Sequence, residues 1–290
     1  MGSKRIRNIK AQTITKTVAR LCREANYLLP DDVVKALKQA LKSEESPLGK
    51  QDLHQILDNA RLARKEEMAV CQDCGTAVVF LEIGQDVHVT GGELYDAVNE
   101  GVRQGYERGY LRKSMVSRPY SARTNTQDNT PAVIHTDITS GDKLRITLMP
   151  KGGGSENMTR LFMLNPAESR EGVIDAVTSS VESAGSNPCP PVVVGVGIGG
   201  TAEKAVYLAK KATLRPLGSK NADKEDAALE RELLERVNSL GIGPEGFGGR
   251  ITALAVHVEK FPCHIASLPV AVSLQCHALR HKEAVLPEEG

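Results

Sequence analysis

The stretch that decides the reading is Cys71-Gln72-Asp73-Cys74-Gly75-Thr76, followed at once by Ala77-Val78-Val79-Phe80-Leu81. Two thiols and a carboxylate fall within four consecutive residues, and the continuous apolar run after Gly75 predicts a buried strand over 77–83. A polar loop that enters a core in this way is a common place to anchor a site.

The chain has 290 residues, enough for one large domain or two modest ones. At that length roughly 75% of the unfolded surface is buried, so no disulfide staples are required. Lys plus Arg is 37 against 36 for Asp plus Glu, which argues against a general binder of nucleic acid or anionic membrane. Aromatic residues make up 3% and Trp is absent, so base-stacking platforms are not expected. The opening Met-Gly-Ser-Lys-Arg-Ile-Arg contains no apolar signal segment, and no run approaches the roughly 18 apolar residues of a membrane span. The expectation is therefore a cytoplasmic chain. In that compartment its six cysteines, Cys22, Cys71, Cys74, Cys189, Cys263 and Cys276, are buried thiols or metal ligands rather than disulfides.

Working outward from the loop, the first 67 residues read as helices. Ile9, Ile14, Val18, Leu21 and Cys22 recur at helical spacing over 9–28. Pro30-Asp31-Asp32 opens a second helix and Ser46-Pro47 ends it, while Leu53 to Leu62 mark a third that stops near Glu67. Downstream, Thr90-Gly91-Gly92 precedes a helix from Glu93 to Arg108. Strands are predicted over 131–138 and 143–149, joined at Ser140-Gly141-Asp142. The polar segment from Ser117 to Thr130 is too long for a plain connection and reads as a functional or a mobile loop. Helices follow over 168–184, 202–213 and 223–240. Strands are expected over 192–196 and 251–258, with a last apolar stretch from Ile265 to Leu274. The fold class is α/β, mixed with α+β character: a helical layer (1–67) packed on a mixed sheet body (68–290) within one domain, 1–290.

Several constellations keep two readings each. Cys71-x-x-Cys74 has the spacing of a redox pair or half a zinc site, but no second close pair completes the latter. Gly195-x-Gly197-x-Gly199-Gly200 after a strand is either an anion-binding turn or a tight strand-to-helix passage, and it lacks dinucleotide spacing. Lys151-Gly152-Gly153-Gly154-Ser155 is a backbone nest or a flexible turn. Arg112-Lys113 either bind an anion or cap the preceding helix. Cys263-His264 places a thiol beside an imidazole ahead of an apolar strand, a setting in which a lone His is more often a core histidine bonded to a carbonyl.

Taken together, Cys71-Gln72-Asp73-x-Gly75-Thr76, Leu111-Arg112-Lys113-Ser114, Asp128-Asn129-Thr130-Pro131-Ala132, Lys151-Gly-Gly-Gly-Ser155-Glu156-Asn157, Pro188-Cys189-Pro190-Pro191, Gly195-Val-Gly-Ile-Gly-Gly200-Thr201 and the end from His264 to His281 run across nearly the whole chain. In that order they resemble the α subunit, or N-terminal catalytic half, of the class I fumarate hydratase and tartrate dehydratase family of iron–sulfur hydro-lyases. The resemblance implies a [4Fe-4S] cluster ligated by Cys71, Cys189 and Cys276. It also implies Gln72, Asp73, Arg112, Gly154 and His264 as substrate-contacting positions, with Asp73 and His264 in catalytic roles. Cys74 departs from the Thr expected in many members, and Cys263 is a second surplus thiol.

No segment matches the family's second half, which by resemblance supplies further cations and a Thr thought to act as base. The resemblance therefore implies a β subunit as partner, in an α2β2 particle, and a small dicarboxylate substrate, without nucleic acid or membrane. The implied reaction is reversible hydration of fumarate to (S)-malate, with L(+)-tartrate dehydration as its nearest rival. Two readings of another class stand beside it: a non-catalytic iron–sulfur regulatory or scaffold protein, and a zinc or thiol-redox protein built on Cys71-x-x-Cys74.

Overall fold

The structure, a computed structural model, describes residues 6–287. The opening Met1–Arg5, which entered the reading of the N-terminus, lies outside them. The chain divides into two units, one of residues Met1–Pro30, Ala60–Gly152 and Arg280–Gly290, the other of Asp31–Asn59 and Gly153–Leu279. Of the three helices expected over 1–67, the first falls in the first unit and the second in the second, while the division passes through the third between Asn59 and Ala60.

In the first unit the apolar run after Gly75 becomes strand β2 (Thr76–Gly84). It is flanked by β6 (Val133–Thr139), parallel to it, and by β7 (Leu144–Lys151), antiparallel. Strand β12 (Lys282–Leu286) closes the order β12-β7-β2-β6. The two strands joined at Ser140-Gly141-Asp142 are thus not neighbours, since β2 lies between them. Helices α1 (Ala11–Tyr27) and α4 (Leu94–Arg108) supply the cover. Ile14, Val18, Leu21, Val98 and Val102 share one core with Val79, Leu81, Ile146 and Leu148. The short strands β1 (Arg7–Lys10) and β3 (Val87–Thr90) pair in parallel; both are too short for periodicity to reveal them. The segment 117–130 contains a small hairpin of β4 (Val116–Ser117) and β5 (Thr124–Asn125), with Tyr120 at its exposed tip.

In the second unit the sheet order is β10-β9-β11-β8, from β8 (Arg160–Leu164), β9 (Val192–Gly199), β10 (Ala253–Phe261) and β11 (Leu268–Gln275). Strands β9 and β10 are parallel, and β11 runs antiparallel to β9 and to β8. Val192, Val194 and Val196 face one way and pack with α6 (Ser169–Ala184) and α8 (Lys224–Ser239). Gly195 and Gly197 face the other way, toward α7 (Ala202–Ala212). A Cβ on either would lie 2.0 Å from the carbonyl oxygen of Ala209 or Ala205. These glycines therefore serve the close seating of α7 on the sheet, the tight-passage reading of that run. Helices α2 (Asp31–Ser43) and α3 (Pro47–Glu66) lead from this unit's first segment, and Glu44 after α2 accepts hydrogen bonds from the backbone of Arg250 and Ile251 at 2.9 and 2.8 Å.

Candidate active site

In the first unit the loop before β2 is held from three sides. Asp73 Oδ1 accepts from Gly75 N at 3.0 Å, folding the loop back on itself. Gly75 adopts φ +71°, and a Cβ there would lie 2.7 Å from the backbone N and C of Lys151, so the turn admits only glycine. The fully buried Tyr106 hydroxyl of α4 lies 2.7 Å from the carbonyl oxygen of Cys74 and 3.0 Å from that of Gly75, and its proton is shared between them. Burial pushes the Tyr106 phenol well above its ordinary range, so it stays a donor.

Arg112 is brought to the same loop through its backbone. Its N–H donates to Cys74 Sγ at 3.2 Å. Asn129, wholly buried, accepts from Ser114 N at 2.8 Å and donates through Nδ2 to the Gly75 carbonyl at 3.1 Å. The string Asp128-Asn129-Thr130 is thus the strut that sets the Arg112–Ser114 segment against the thiol loop. A cavity of about 570 Å³ opens here, with Cys71, Gln72, Cys74, Arg23, Arg108 and Arg112 among its lining residues. Gln72 and Arg112 are exposed, whereas Cys74 is buried. Burial raises the Cys74 thiol pKa, against the opposing pull of the Arg112 N–H and of the Arg280 charge, so Cys74 is an acceptor in the scaffold and a poor thiolate.

In the second unit the two remaining predicted thiols come to one end of the sheet. Cys189 precedes β9 and Cys276 follows β11, and these antiparallel strands pair Val193 with Gln275. The His277 N–H donates to the Cys189 carbonyl at 3.2 Å, fastening the two loops together. Cys189 is exposed, with φ +53°, a strained conformation for a side chain with a Cβ and of a kind that clusters at functional sites. Gly154 joins them: a Cβ on it would lie 2.9 Å from the carbonyl oxygen of Asn187, two residues before Cys189. The Lys151–Ser155 string ends β7 and then makes a single helical turn, α5 (Gly153–Glu156).

His264 is placed differently. It sits in the exposed turn between β10 and β11, its Nδ1 accepting from Ala266 N at 3.1 Å. The strand Leu268–Gln275 separates it from Cys276, about 26 Å at 3.3 Å per residue. Beside it lies a cavity of about 480 Å³ lined by Arg170, Asp226, Cys263 and Ile265. Sequence reasoning missed Asn129 and Tyr106 as supports, although Asn129 lies within a string that carried the resemblance.

None of the six cysteines is in a disulfide. Among the described residues of either unit, no three His, Cys, Asp or Glu side chains converge as a ready metal site. No helix of the described residues is long and apolar enough to cross a membrane.

Residues 15–285 match the family model described as Fumarate hydratase (Fumerase). The chain belongs to that family. It is 44% identical over 272 residues to a Methanocaldococcus jannaschii protein provisionally named L(+)-tartrate dehydratase subunit alpha, covering 92% of this chain and 95% of that one. Against the L(+)-tartrate dehydratase subunit alpha of Escherichia coli strain K12, identity is 35% over 269 residues, covering 92% of this chain and 88% of the relative. The Shigella sonnei protein of the same name matches to the same extent. Family membership thus joins the resemblance carried by the thiol loop and the Gly-rich strings.

Proposed function

We propose that this fumarase-family chain is the α subunit of an iron–sulfur hydro-lyase that adds water to, or removes it from, a four-carbon 2-hydroxydicarboxylate. On the family resemblance, Cys71, Cys189 and Cys276 are the proposed ligands of a [4Fe-4S] cluster. The donor set fits that group. None of these three thiols is in a disulfide and all are at least partly accessible, whereas Cys22 and Cys74 are buried with their thiol pKa values raised. The observation that carries the reading is the fastening of the Cys189 and Cys276 loops by one backbone hydrogen bond. When bound, the cluster would supply a Lewis-acidic iron able to stabilise the hydroxide that leaves on dehydration.

The chain's own residues do the rest. The Arg112 guanidinium offers two parallel donors to a substrate carboxylate, with Arg23 and Arg108 adding positive charge around the same cavity. Gln72, exposed beside Cys71, offers an amide donor and acceptor. Asp73 is held by Gly75 N through Oδ1, which directs its carboxylate and suits it to take or return the carbon-bound proton. Gly154 leaves room for a close approach to the backbone. His264, about a strand's length from Cys276, is proposed as a substrate contact on the resemblance alone.

Fumarate with (S)-malate and L(+)-tartrate both satisfy this chemistry, the family's description favouring the first and the relatives' names the second. A β subunit is the proposed partner, since the relatives are themselves named as α subunits. The test is anaerobic reconstitution with iron and sulfide, followed by EPR of the reduced cluster with fumarate, malate or tartrate. A four-iron signal that shifts with one dicarboxylate supports the proposal and names the substrate. Zinc without sulfide, or a cluster blind to all three, overturns it.

A further inference from the structure

Arg280, in the first unit, has no exposed surface at all. Its Nη1 donates to Asn26 Oδ1 at 3.0 Å, and Asn26 is in turn tied into α1 by a hydrogen bond from its Nδ2 to the Cys22 carbonyl at 2.9 Å. Nε and Nη2 are out of water and have no acceptor. A guanidinium does not shed its proton in proteins. A buried cation without an anionic partner is strongly destabilising. Among the described residues, these two donors are therefore left without an acceptor.

The location of the missing acceptor follows from Gly152. A Cβ there would lie 3.7 Å from Arg280 Nη2 and 3.4 Å from Asp73 Oδ2, so both side chains flank one point of backbone. Asp73 is two residues from Cys71.

We infer that Arg280 is a positioning residue for an anionic sulfur centre on the Cys71 loop, its Nε–H and Nη2–H held to donate to a thiolate or cluster sulfide. This rests on the cluster reading above. A thiolate-ligated cluster is a net anion, and donors to its sulfurs raise its reduction potential and slow the loss of iron. Arg280 is not needed to read the substrate, a role Arg112 fills from the exposed side of the loop.

The test compares the full-length wild-type chain with Arg280→Gln, Arg280→Met and Arg280→Lys, each before and after anaerobic loading with iron and sulfide. The readouts are the cluster's midpoint potential, the rate of iron release to a chelator, the affinity for malate and tartrate from the EPR shift, and the thermal midpoint of the unloaded chain. Arg280→Gln is expected to bind a cluster of more negative potential and to release iron about 10- to 100-fold faster, with dicarboxylate affinity little changed. Arg280→Lys, which keeps the charge, restores the potential but only part of the retention. Unloaded Arg280→Met unfolds no earlier than wild type, because a buried cation without a partner has been removed.

An unchanged potential with weakened dicarboxylate binding would assign the guanidinium to the substrate and overturn the inference. Equal destabilisation of loaded and unloaded variants would reduce Arg280 to its tie with Asn26, with the same consequence. A wild-type chain that takes up no cluster would remove the cluster reading and this inference together. A wild-type cluster matched in every readout by that of the variants would remove this inference alone.

Discussion

The backbone N–H of Arg112 donates to the sulfur of Cys74 at 3.2 Å. One bond thus couples the position of a proposed substrate-binding arginine to a thiol that is not proposed as a ligand. Cys74→Ala removes the acceptor and leaves a partly buried N–H unsatisfied, at a cost of about 1–3 kcal/mol. Thermal unfolding should show that loss, and KM for the dicarboxylate should rise with iron content unchanged. Cys74→Thr restores a hydroxyl acceptor and should recover both. Loss of iron in Cys74→Ala would instead make Cys74 the ligand.

Gly75→Ala must force a side chain into a left-handed φ and against the backbone of Lys151. The two effects together should cost about 2–4 kcal/mol in chemical denaturation. Gly141→Ala is the control. Its φ is +101°, but nothing lies within 4 Å of the added Cβ, so only the conformational cost of about 1–2 kcal/mol is expected.

If the proposed cluster is bound as inferred, iron content should separate the thiols by role. Cys71→Ala, Cys189→Ala and Cys276→Ala should each abolish stable four-iron loading, whereas Cys22→Ala and Cys263→Ala should leave it intact. Iron and sulfide assays on the anaerobically loaded chain check this. Prolonged aeration of the loaded chain should yield an inactive three-iron form, visible by EPR.

Asp73→Asn should lower kcat by about 10²- to 10⁴-fold in the complete enzyme, with the cluster's iron content unchanged. Arg112→Lys should act mainly on KM, since the ammonium keeps the charge but loses the planar fork. Steady-state kinetics with the proposed β subunit present distinguish the two outcomes.

Glu44 gives a pH dependence with a definite sign. Burial, the largest single influence, pushes its carboxyl up, but the N–H groups of Arg250, Ser46, Ile251 and Glu45 together hold it below its ordinary value. A depressed carboxylate contributes stability that is complete above its unfolded pKa and is lost as the pH falls through the folded one. Glu44→Gln should therefore cost about 2 kcal/mol near neutrality. The gap from wild type should narrow on acidification through the carboxylate range, as followed by urea denaturation at several pH values.

Much of the secondary structure was legible because it depends on neighbours along the chain. The apolar run after Gly75 is a strand, since unbroken Val, Phe and Leu suit a strand buried on both faces, and it appears as Thr76–Gly84. The helices over 168–184 and 202–213 appear as Ser169–Ala184 and Ala202–Ala212. The short edge strands escaped notice: Arg160–Leu164 and Lys282–Leu286 have too few residues for a period to stand out. Their place comes from pairing with β11 and β7.

The sequence by itself determined the element types, the family and the inventory of thiols, carboxylate and arginines, because propensity, periodicity and rare strings are local properties. Only the tertiary structure decided how they are arranged. It shared the first three helices between two units, put β2 between strands that are consecutive in the chain, and set Cys189 and Cys276 at one end of a sheet with His264 at the other. It also buried Arg280 with two of its donor nitrogens unsatisfied, which composition does not reveal. Register and burial come from distant segments competing for the same cores, so they are settled only when the whole chain has folded.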